Sequence, residues 1–167
     1  MSELSSLEEA VANFSSECVR KLRMQHSCCT EITVFAYTSR FRLDLPHHCI
    51  NRTIQQVPTN DLQELVSTAV RALRIDFCKE GGYQYKKAGV IVWNIVPDSA
   101  IQTNLFDTID REKQSRLAAA IDAINRKNGH NTIKVAVQGT TDKSWHLKCE
   151  HISKQYTTNL DDVILVK

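Results

Sequence analysis

The spacing of apolar residues predicts a helix near the start of the chain, over residues 4–25. Apolar side chains recur there at steps of three and four positions: Leu4, Leu7, Val11, Phe14, Cys18 and Leu22. This period matches one face of an α-helix. Ser5 or Ser6, followed three residues later by Glu8 or Glu9, supplies capping-box chemistry near the predicted start.

Two segments with strand periodicity follow, at residues 30–38 and 49–57. In the first, Ile32, Val34 and Ala36 alternate with Thr33, Phe35 and Tyr37. Alternation with a period of two is typical of a strand that buries one face. The segment between the strands carries Pro46 and is predicted to be a loop, and the second strand ends at Pro58.

A second amphipathic helix and a long strand complete the first part of the chain. Asn60 and Asp61, with Gln63 and Glu64 three residues on, form a helix start signal. The apolar stripe of this helix comprises Leu62, Leu65, Val66, Ala69, Val70, Leu73 and Phe77, before Gly81 and Gly82. A strand is predicted over 83–96. The order helix, strand, strand, helix, strand predicts an α+β fold, with two helices covering one face of an antiparallel sheet.

The remaining sequence is predicted to be a small α/β C-terminal extension. Asp110 is placed to cap a third helix with the stripe Leu117, Ile121 and Ile124, and Gly129 is placed to end it. A short strand is predicted over 132–137. We place a boundary at Pro97, giving units 1–97 and 98–167, of which the second buries little core by itself.

Composition narrows the class of protein. The chain has 42% hydrophobic and 24% charged residues, which is typical of a globular domain, and its net charge is +2. A nucleic-acid surface would therefore depend on the local placement of charge. No apolar run approaches the roughly 20 residues that span a bilayer. We expect no signal peptide. The six cysteines form no CxxC pair, and without a secretory context we expect reduced thiols in a cytoplasmic protein.

The segment 102–106, which joins the two units, has the composition of a docking peptide. Gln102 is followed by two tolerant positions and then by Leu105 and Phe106. Such a segment resembles the sliding-clamp-binding motif of bacterial DNA polymerases, with the two apolar side chains filling a pocket and the glutamine amide at its rim. The alternative is a connector that packs its own Leu105 and Phe106 against the C-terminal unit.

Several further motifs resemble UmuC-type Y-family DNA polymerases, the catalytic subunits of bacterial DNA polymerase V. The segment 83–90, YQYKKAGV, is similar to their Y-x-Y-x-K-A-G-V motif. Segments 38–41, 104–107, 145–148 and 153–158 also resemble that family, in order and at the family spacing. The resemblance covers about residues 7–167.

The resemblance implies that residues 1–97 are a little-finger DNA-binding domain and that 98–167 carry the clamp-binding connector and a C-terminal extension. The first strand of this little-finger domain is expected to be missing. The palm carboxylates that hold catalytic magnesium are absent, so we expect no catalytic residues and no cofactor in this chain, with magnesium required by the parent polymerase. The implied role is DNA gripping and clamp tethering in error-prone translesion synthesis during the SOS response, with a UmuD-type subunit and a recombinase filament as partners.

The resemblance also implies candidate DNA-binding residues. Little-finger sheets contact backbone phosphates through basic and hydroxyl groups, which carry charge complementarity without reading the bases. The candidates are Arg52, Thr53, Lys86 and Lys87, on strands that we expect to be neighbours, and less strongly Arg40 and Arg42 in the loop. Strand alternation points Lys86 and Lys87 to opposite faces, so at most one of them faces DNA unless a bulge intervenes.

Two other functions are consistent with the residues. A stand-alone adaptor would bind the clamp or another partner without binding DNA. A metal-binding regulatory domain would use His146, Cys149 and His151, but their spacing fits no standard structural zinc pattern and no fourth ligand lies nearby in sequence. We therefore predict no metal site.

Overall fold

The computed structural model describes residues 1–100, 110–140, 145, 153–156, 159 and 162. Its regular elements are α1 (Leu4–Met24), β1 (Ser27–Thr38), β2 (Cys49–Thr59), α2 (Leu62–Asp76), β3 (Tyr85–Pro97) and α3 (Arg111–Asn128), with 3₁₀ turns at Asp98–Ala100 and Ala136–Gln138. The predicted α+β class is confirmed, and each of the three predicted helices is present.

The three strands form one antiparallel sheet in the order β2-β1-β3. Thr33 in the middle of β1 pairs with Thr53 on one side and with Ile91 on the other. The expectation that β2 and β3 are neighbours is therefore wrong, because β1 lies between them. The alternation along β1 is as predicted, with Ile32, Val34 and Ala36 buried.

Helices α1 and α2 cover the buried face of this sheet and contact each other. The core joins side chains from all three layers, including Leu7 and Leu22 of α1, Ile32 of β1 and Leu65 and Leu73 of α2. Because apolar burial is the main favourable term in folding, this cluster defines the stable body of the molecule.

Both predicted aspartate caps are formed. The Asp61 carboxylate accepts hydrogen bonds from the backbone N–H groups of Gln63 and Glu64, at 2.9 Å each. The Asp110 carboxylate accepts one from the N–H of Lys113 at 2.9 Å. These bonds satisfy N–H groups that have no partner within the first turn of a helix.

The segment after α3 packs Val135 and Val137 against an apolar cluster of the body, whereas helix α3 itself contacts the body through ion pairs. None of its residues is buried in the described structure. Arg23 of α1 donates two hydrogen bonds to Asp122, at 2.8 and 2.7 Å, and Arg111 contacts Glu64 of α2 at 2.7 Å. The predicted stripe is therefore largely solvent-facing, and Leu117 is 59% exposed.

The predicted strand at 132–137 is wrong. The segment is a turn followed by the 3₁₀ turn Ala136–Gln138, and the part of residues 98–167 that the structure describes contains no strand. The side chain of Asn125 in α3 occupies the backbone hydrogen-bonding groups of Ile133. It accepts a hydrogen bond from the Ile133 N–H at 2.7 Å and donates one to the Ile133 carbonyl at 3.0 Å. The buried Gln138 side chain then accepts from the N–H of Val135 at 3.0 Å. Side-chain bonds of this kind replace a sheet ladder.

No helix within the described residues is long and apolar enough to cross a membrane. The cysteines that the structure describes, Cys18, Cys28, Cys29, Cys49 and Cys78, are all free thiols. Burial raises the pKa of Cys28 and of Cys29 to about 11, which makes both poor nucleophiles.

Candidate nucleic-acid interface

The face of the sheet opposite α1 and α2 carries a mixture of aromatic, hydroxyl and basic side chains. Phe35 and Tyr37 of β1 stack on this face with ring centroids 6.0 Å apart. Thr33 and Thr53 share a hydrogen bond of 2.8 Å between their hydroxyls, and Trp93 donates to the Thr33 hydroxyl at 2.9 Å. The open face is thus partly aromatic and partly polar.

A β-bulge brings Lys86 and Lys87 to the same region. Tyr37 pairs with Lys87 while the next residue, Thr38, pairs with Tyr85, so Lys86 is an extra residue on β3. A bulge of this kind changes the direction of side chains that strict alternation would separate. Both lysines are exposed and line one groove, and the Lys87 ammonium lies 6.0 Å from the centroid of the Tyr37 ring.

We call this groove the basic groove; it lies between the open sheet face and the β1–β2 loop, with a volume of about 900 Å³. Its lining comprises Thr33, Phe35, Tyr37, Thr38, Ser39, Arg40, Phe41, His47, His48, Cys49, Asn51, Lys86, Lys87 and Ile91. No carboxylate belongs to this set of described residues. Arg40, Lys86 and Lys87 are exposed and form no ion pair with the residues that the structure describes.

Hydrogen bonds and ring contacts position the loop beside the groove. The His48 ring stacks on Tyr83 at 4.5 Å, and its Nδ1 lies 2.9 Å from the Tyr85 hydroxyl. Thr38 and His48 also join the two ends of the loop, since the Thr38 N–H donates to the His48 carbonyl at 3.1 Å. Burial raises the pKa of Tyr85 to about 12, so its hydroxyl stays protonated at neutral pH.

Gly89 of the YQYKKAGV segment permits close packing on the open face. A Cβ at this position would clash with the ring of Phe35, which lies directly over the glycine. The absence of a side chain therefore lets the Phe35 ring approach the backbone of β3 closely. Any substitution here must displace that ring.

Two of the candidate arginines lie away from the basic groove or are already paired. Arg52 is in register with the buried Val34, and its Nε donates to Asp76 at the end of α2 at 3.0 Å. Arg42 binds Asp44 within the loop, with Nη2 to Oδ2 at 2.7 Å, and this pairing lowers the pKa of Asp44 to about 2. Thr53 is exposed on the open face but does not line the groove.

Sequence analysis did not propose the aromatic part of this site. Phe35, Tyr37 and the loop residue Phe41, which is 92% exposed, line the groove beside the cations. The signal was present for β1, because Phe35 and Tyr37 alternate with the buried set and so must face the other way. No pattern could place Phe41, since loop geometry is not periodic.

The remaining predicted sites lie largely outside the described residues. Gln102, Leu105 and Phe106 belong to the undescribed segment 101–109, and His146, Cys149 and His151 are likewise undescribed. Among the residues that the structure describes, no group of three or more His, Cys, Asp or Glu side chains could hold a metal ion.

Comparison with known proteins identifies the family. The profile described as the impB/mucB/samB family C-terminal domain matches residues 1–105, which include α1, α2 and the whole sheet. The chain belongs to the impB/mucB/samB family. A second profile, described as a domain of unknown function (DUF4113), matches residues 115–166.

Individual relatives agree with this assignment. The chain is 31% identical to Protein UmuC of Salmonella typhimurium over 169 residues, which cover 100% of this chain and 39% of that protein. It is 31% identical to Protein ImpB of the same species, covering 97% and 38%, and 30% identical to Protein MucB of Escherichia coli, covering 93% and 36%. The chain thus spans less than two fifths of the length of each of these relatives, and the predicted resemblance to UmuC-type proteins is confirmed. No solved structure matches the chain.

Proposed function

We propose that this chain is the portion of an error-prone translesion DNA polymerase that grips primer-template DNA and tethers the enzyme to the sliding clamp. The parent polymerase would require magnesium, which palm carboxylates outside this sequence would hold. It would work in the cytoplasm during the SOS response, with a UmuD-type subunit and a recombinase filament as partners. This chain itself would catalyse no reaction.

The main support for the proposed DNA binding is the set of cations that line the basic groove. Arg40, Lys86 and Lys87 converge on one groove without a carboxylate among its described lining residues. Cations that are not neutralised internally release counterions when they bind phosphates, and this is the main source of sequence-independent affinity. Phe35, Tyr37 and Phe41 add apolar surface on which sugars or bases can pack.

The test measures DNA binding by the purified chain as a function of salt. Replacing Lys86 and Lys87 by Ala is expected to reduce the slope of log K against log salt by about 0.9 for each phosphate that the variant no longer neutralises. Arg71→Ala is the matched control, because Arg71 is exposed on α2 and does not line the groove. Arg52→Ala and Arg42→Ala measure whether the paired arginines contribute. An unchanged slope in the double variant would contradict DNA binding by the groove and favour the adaptor function.

Clamp tethering is tested separately with Leu105 and Phe106. Replacing both by Ala is expected to abolish capture of the chain by immobilised sliding clamp while leaving the melting temperature nearly unchanged. Thr103→Ala is the control, since that position tolerates substitution in the proposed motif. If instead these side chains pack into the fold, each replacement would cost about 2–5 kcal/mol of unfolding free energy. A large fall in melting temperature would therefore contradict clamp binding by Leu105 and Phe106.

A further inference from the structure

A second groove lies on the other side of the molecule, between α1, α3 and the turn that follows α3. We call it the helical groove; its volume is about 410 Å³. Its lining comprises Ser16, Arg20, Arg23, Met24, Leu62, Ile121, Asp122, Asn125, Arg126, His130, Asn131 and Ile133. The groove draws on both matched regions, because its α1 side lies within 1–105 and its α3 side within 115–166.

The walls of the helical groove are fixed by polar contacts at three points. Arg23 and Asp122 join α1 to α3 through two hydrogen bonds, and His130 Nε2 lies 2.6 Å from Glu17 on α1. Asn125 holds the turn against α3 through both backbone groups of Ile133. These contacts join α1, α3 and the turn as the walls of one groove.

The helical groove offers apolar contact surface flanked by positive charge. Leu62, Ile121 and Ile133 supply aliphatic surface, and Met24 at its edge is 70% exposed. Three arginines line it against a single aspartate. Arg23 forms an ion pair with Asp122. Arg20 forms an ion pair with Glu17, with 3.1 Å between the guanidinium and the carboxylate oxygen. Arg126 forms no ion pair with the described part of the chain, so one full positive charge lies at the groove without a partner there.

We propose that the helical groove binds an acidic segment of a partner protein, in which an aliphatic side chain is flanked by carboxylates. The aliphatic side chain would enter between Ile121 and Ile133, and a flanking carboxylate would pair with Arg126. Charge complementarity selects this occupant, because planar guanidinium groups bind carboxylates through paired hydrogen bonds. A nucleic-acid backbone fits less well, since it carries no aliphatic side chain to fill the surface formed by Leu62, Ile121 and Ile133.

The experiment uses the full chain and a fluorescein-labelled peptide in which two leucines are flanked by glutamates. Fluorescence anisotropy should show saturable binding, and the same peptide with lysines for glutamates should not bind. Arg126→Glu is expected to weaken binding at least about tenfold, the equivalent of removing one charge-assisted hydrogen bond. Arg126→Gln should give a smaller effect in the same direction. Because Arg126 is solvent-exposed, the melting temperatures of both variants should be unchanged.

Arg116→Glu is the matched control, because Arg116 is exposed on the same helix and does not line the helical groove. It should alter the affinity less than about twofold, as expected for a charge far from the contact at moderate salt. NMR amide shifts induced by the peptide should cluster at α1, α3 and the turn rather than at the sheet. Equal weakening in the Arg116 and Arg126 variants, equal binding of the lysine peptide, or competition by an oligothymidylate that depends on Arg126 would each overturn the proposal.

Discussion

Helices α2 and α3 start from similar local sequence signals and end in opposite environments. Each begins after an aspartate cap, and each has an apolar stripe. Six residues of α2 are buried against the sheet and α1, namely Leu65, Val66, Ala69, Val70, Ala72 and Leu73. In the described structure α3 has no buried residue and is attached through Arg23–Asp122 and Arg111–Glu64.

The difference shows that helix formation and core membership are separate properties of a sequence. Caps and periodicity determine where a helix begins and which face is apolar. Whether that face is buried depends on which surface is available to it, and α1 and α2 already cover the closed face of the sheet. Helix α3 therefore lies outside the core, and one consequence is that the helical groove stays open between it and α1.

The largest expected effect is a difference in unfolding free energy between substitutions in the apolar stripe of α2 and in that of α3. Leu73→Ala in α2 removes a side chain that is 0% exposed and should lower the free energy of unfolding by about 2–5 kcal/mol. Leu117→Ala in α3 removes one that is 59% exposed and should change it by less than about 0.5 kcal/mol. Denaturant unfolding of both variants tests the contrast. A decrease above about 2 kcal/mol for Leu117→Ala would place α3 within the cooperative core.

Substitutions of the two aspartate caps compare α2 with α3 again, with smaller expected changes in unfolding free energy. Asp61→Ala should cost about 1 kcal/mol of global unfolding free energy, since its hydrogen bonds belong to a helix that unfolds with the core. Asp110→Ala should instead accelerate amide hydrogen exchange within α3 and leave global unfolding nearly unchanged. Native-state exchange measured for both variants distinguishes local from global opening. If Asp110→Ala lowered global stability as much as Asp61→Ala, α3 would not be a separate unit of stability.

Sequence alone predicted most of the body of this fold because its elements have clean periods. The first helix was predicted over 4–25 and is Leu4–Met24; the third was bounded by Asp110 and Gly129 and is Arg111–Asn128. The order of the strands was predicted wrongly, with β2 beside β3, since pairing depends on which strand edges meet rather than on any local pattern. The strand predicted over 132–137 is absent because the side chains of Asn125 and Gln138 hydrogen-bond to the backbone of this segment. Such hydrogen bonds produce no periodic pattern in the sequence.

The basic groove was predicted only in part. The two lysines of YQYKKAGV were proposed from family resemblance, but the bulge that brings both to one groove is a property of strand register. Arg52 was proposed on the same grounds and lies instead beside Asp76, because its position in register with Val34 directs it to the helix-covered side. Its role in DNA binding stays a prediction.

The smallest expected effect concerns the ion pairs that hold each helix. The Arg52 guanidinium, through its hydrogen bonds, holds the pKa of the Asp76 carboxyl below its ordinary value. A lowered pKa in the folded state means that Asp76 stabilises the fold above its unfolded pKa of about 4, and that this contribution is lost as the pH falls through the folded value. Because both side chains are partly exposed, Asp76→Asn should cost less than about 1 kcal/mol at pH 7.

The pH dependence distinguishes this ion pair from simple packing and separates α2 from α3. The difference in unfolding free energy between wild type and Asp76→Asn should shrink toward zero as the pH falls below the lowered pKa of Asp76 in the folded state, where the protonated carboxyl carries no charge either. It should also shrink in about 1 M salt, because salt weakens ion pairs between partly exposed side chains. Asp122→Asn, which breaks the corresponding pair with Arg23, should leave global unfolding nearly unchanged and lower exchange protection in α3. If the two asparagine variants were equally destabilised in global unfolding, α2 and α3 would belong to one cooperative unit, because only a shared unit transmits both effects to the same transition.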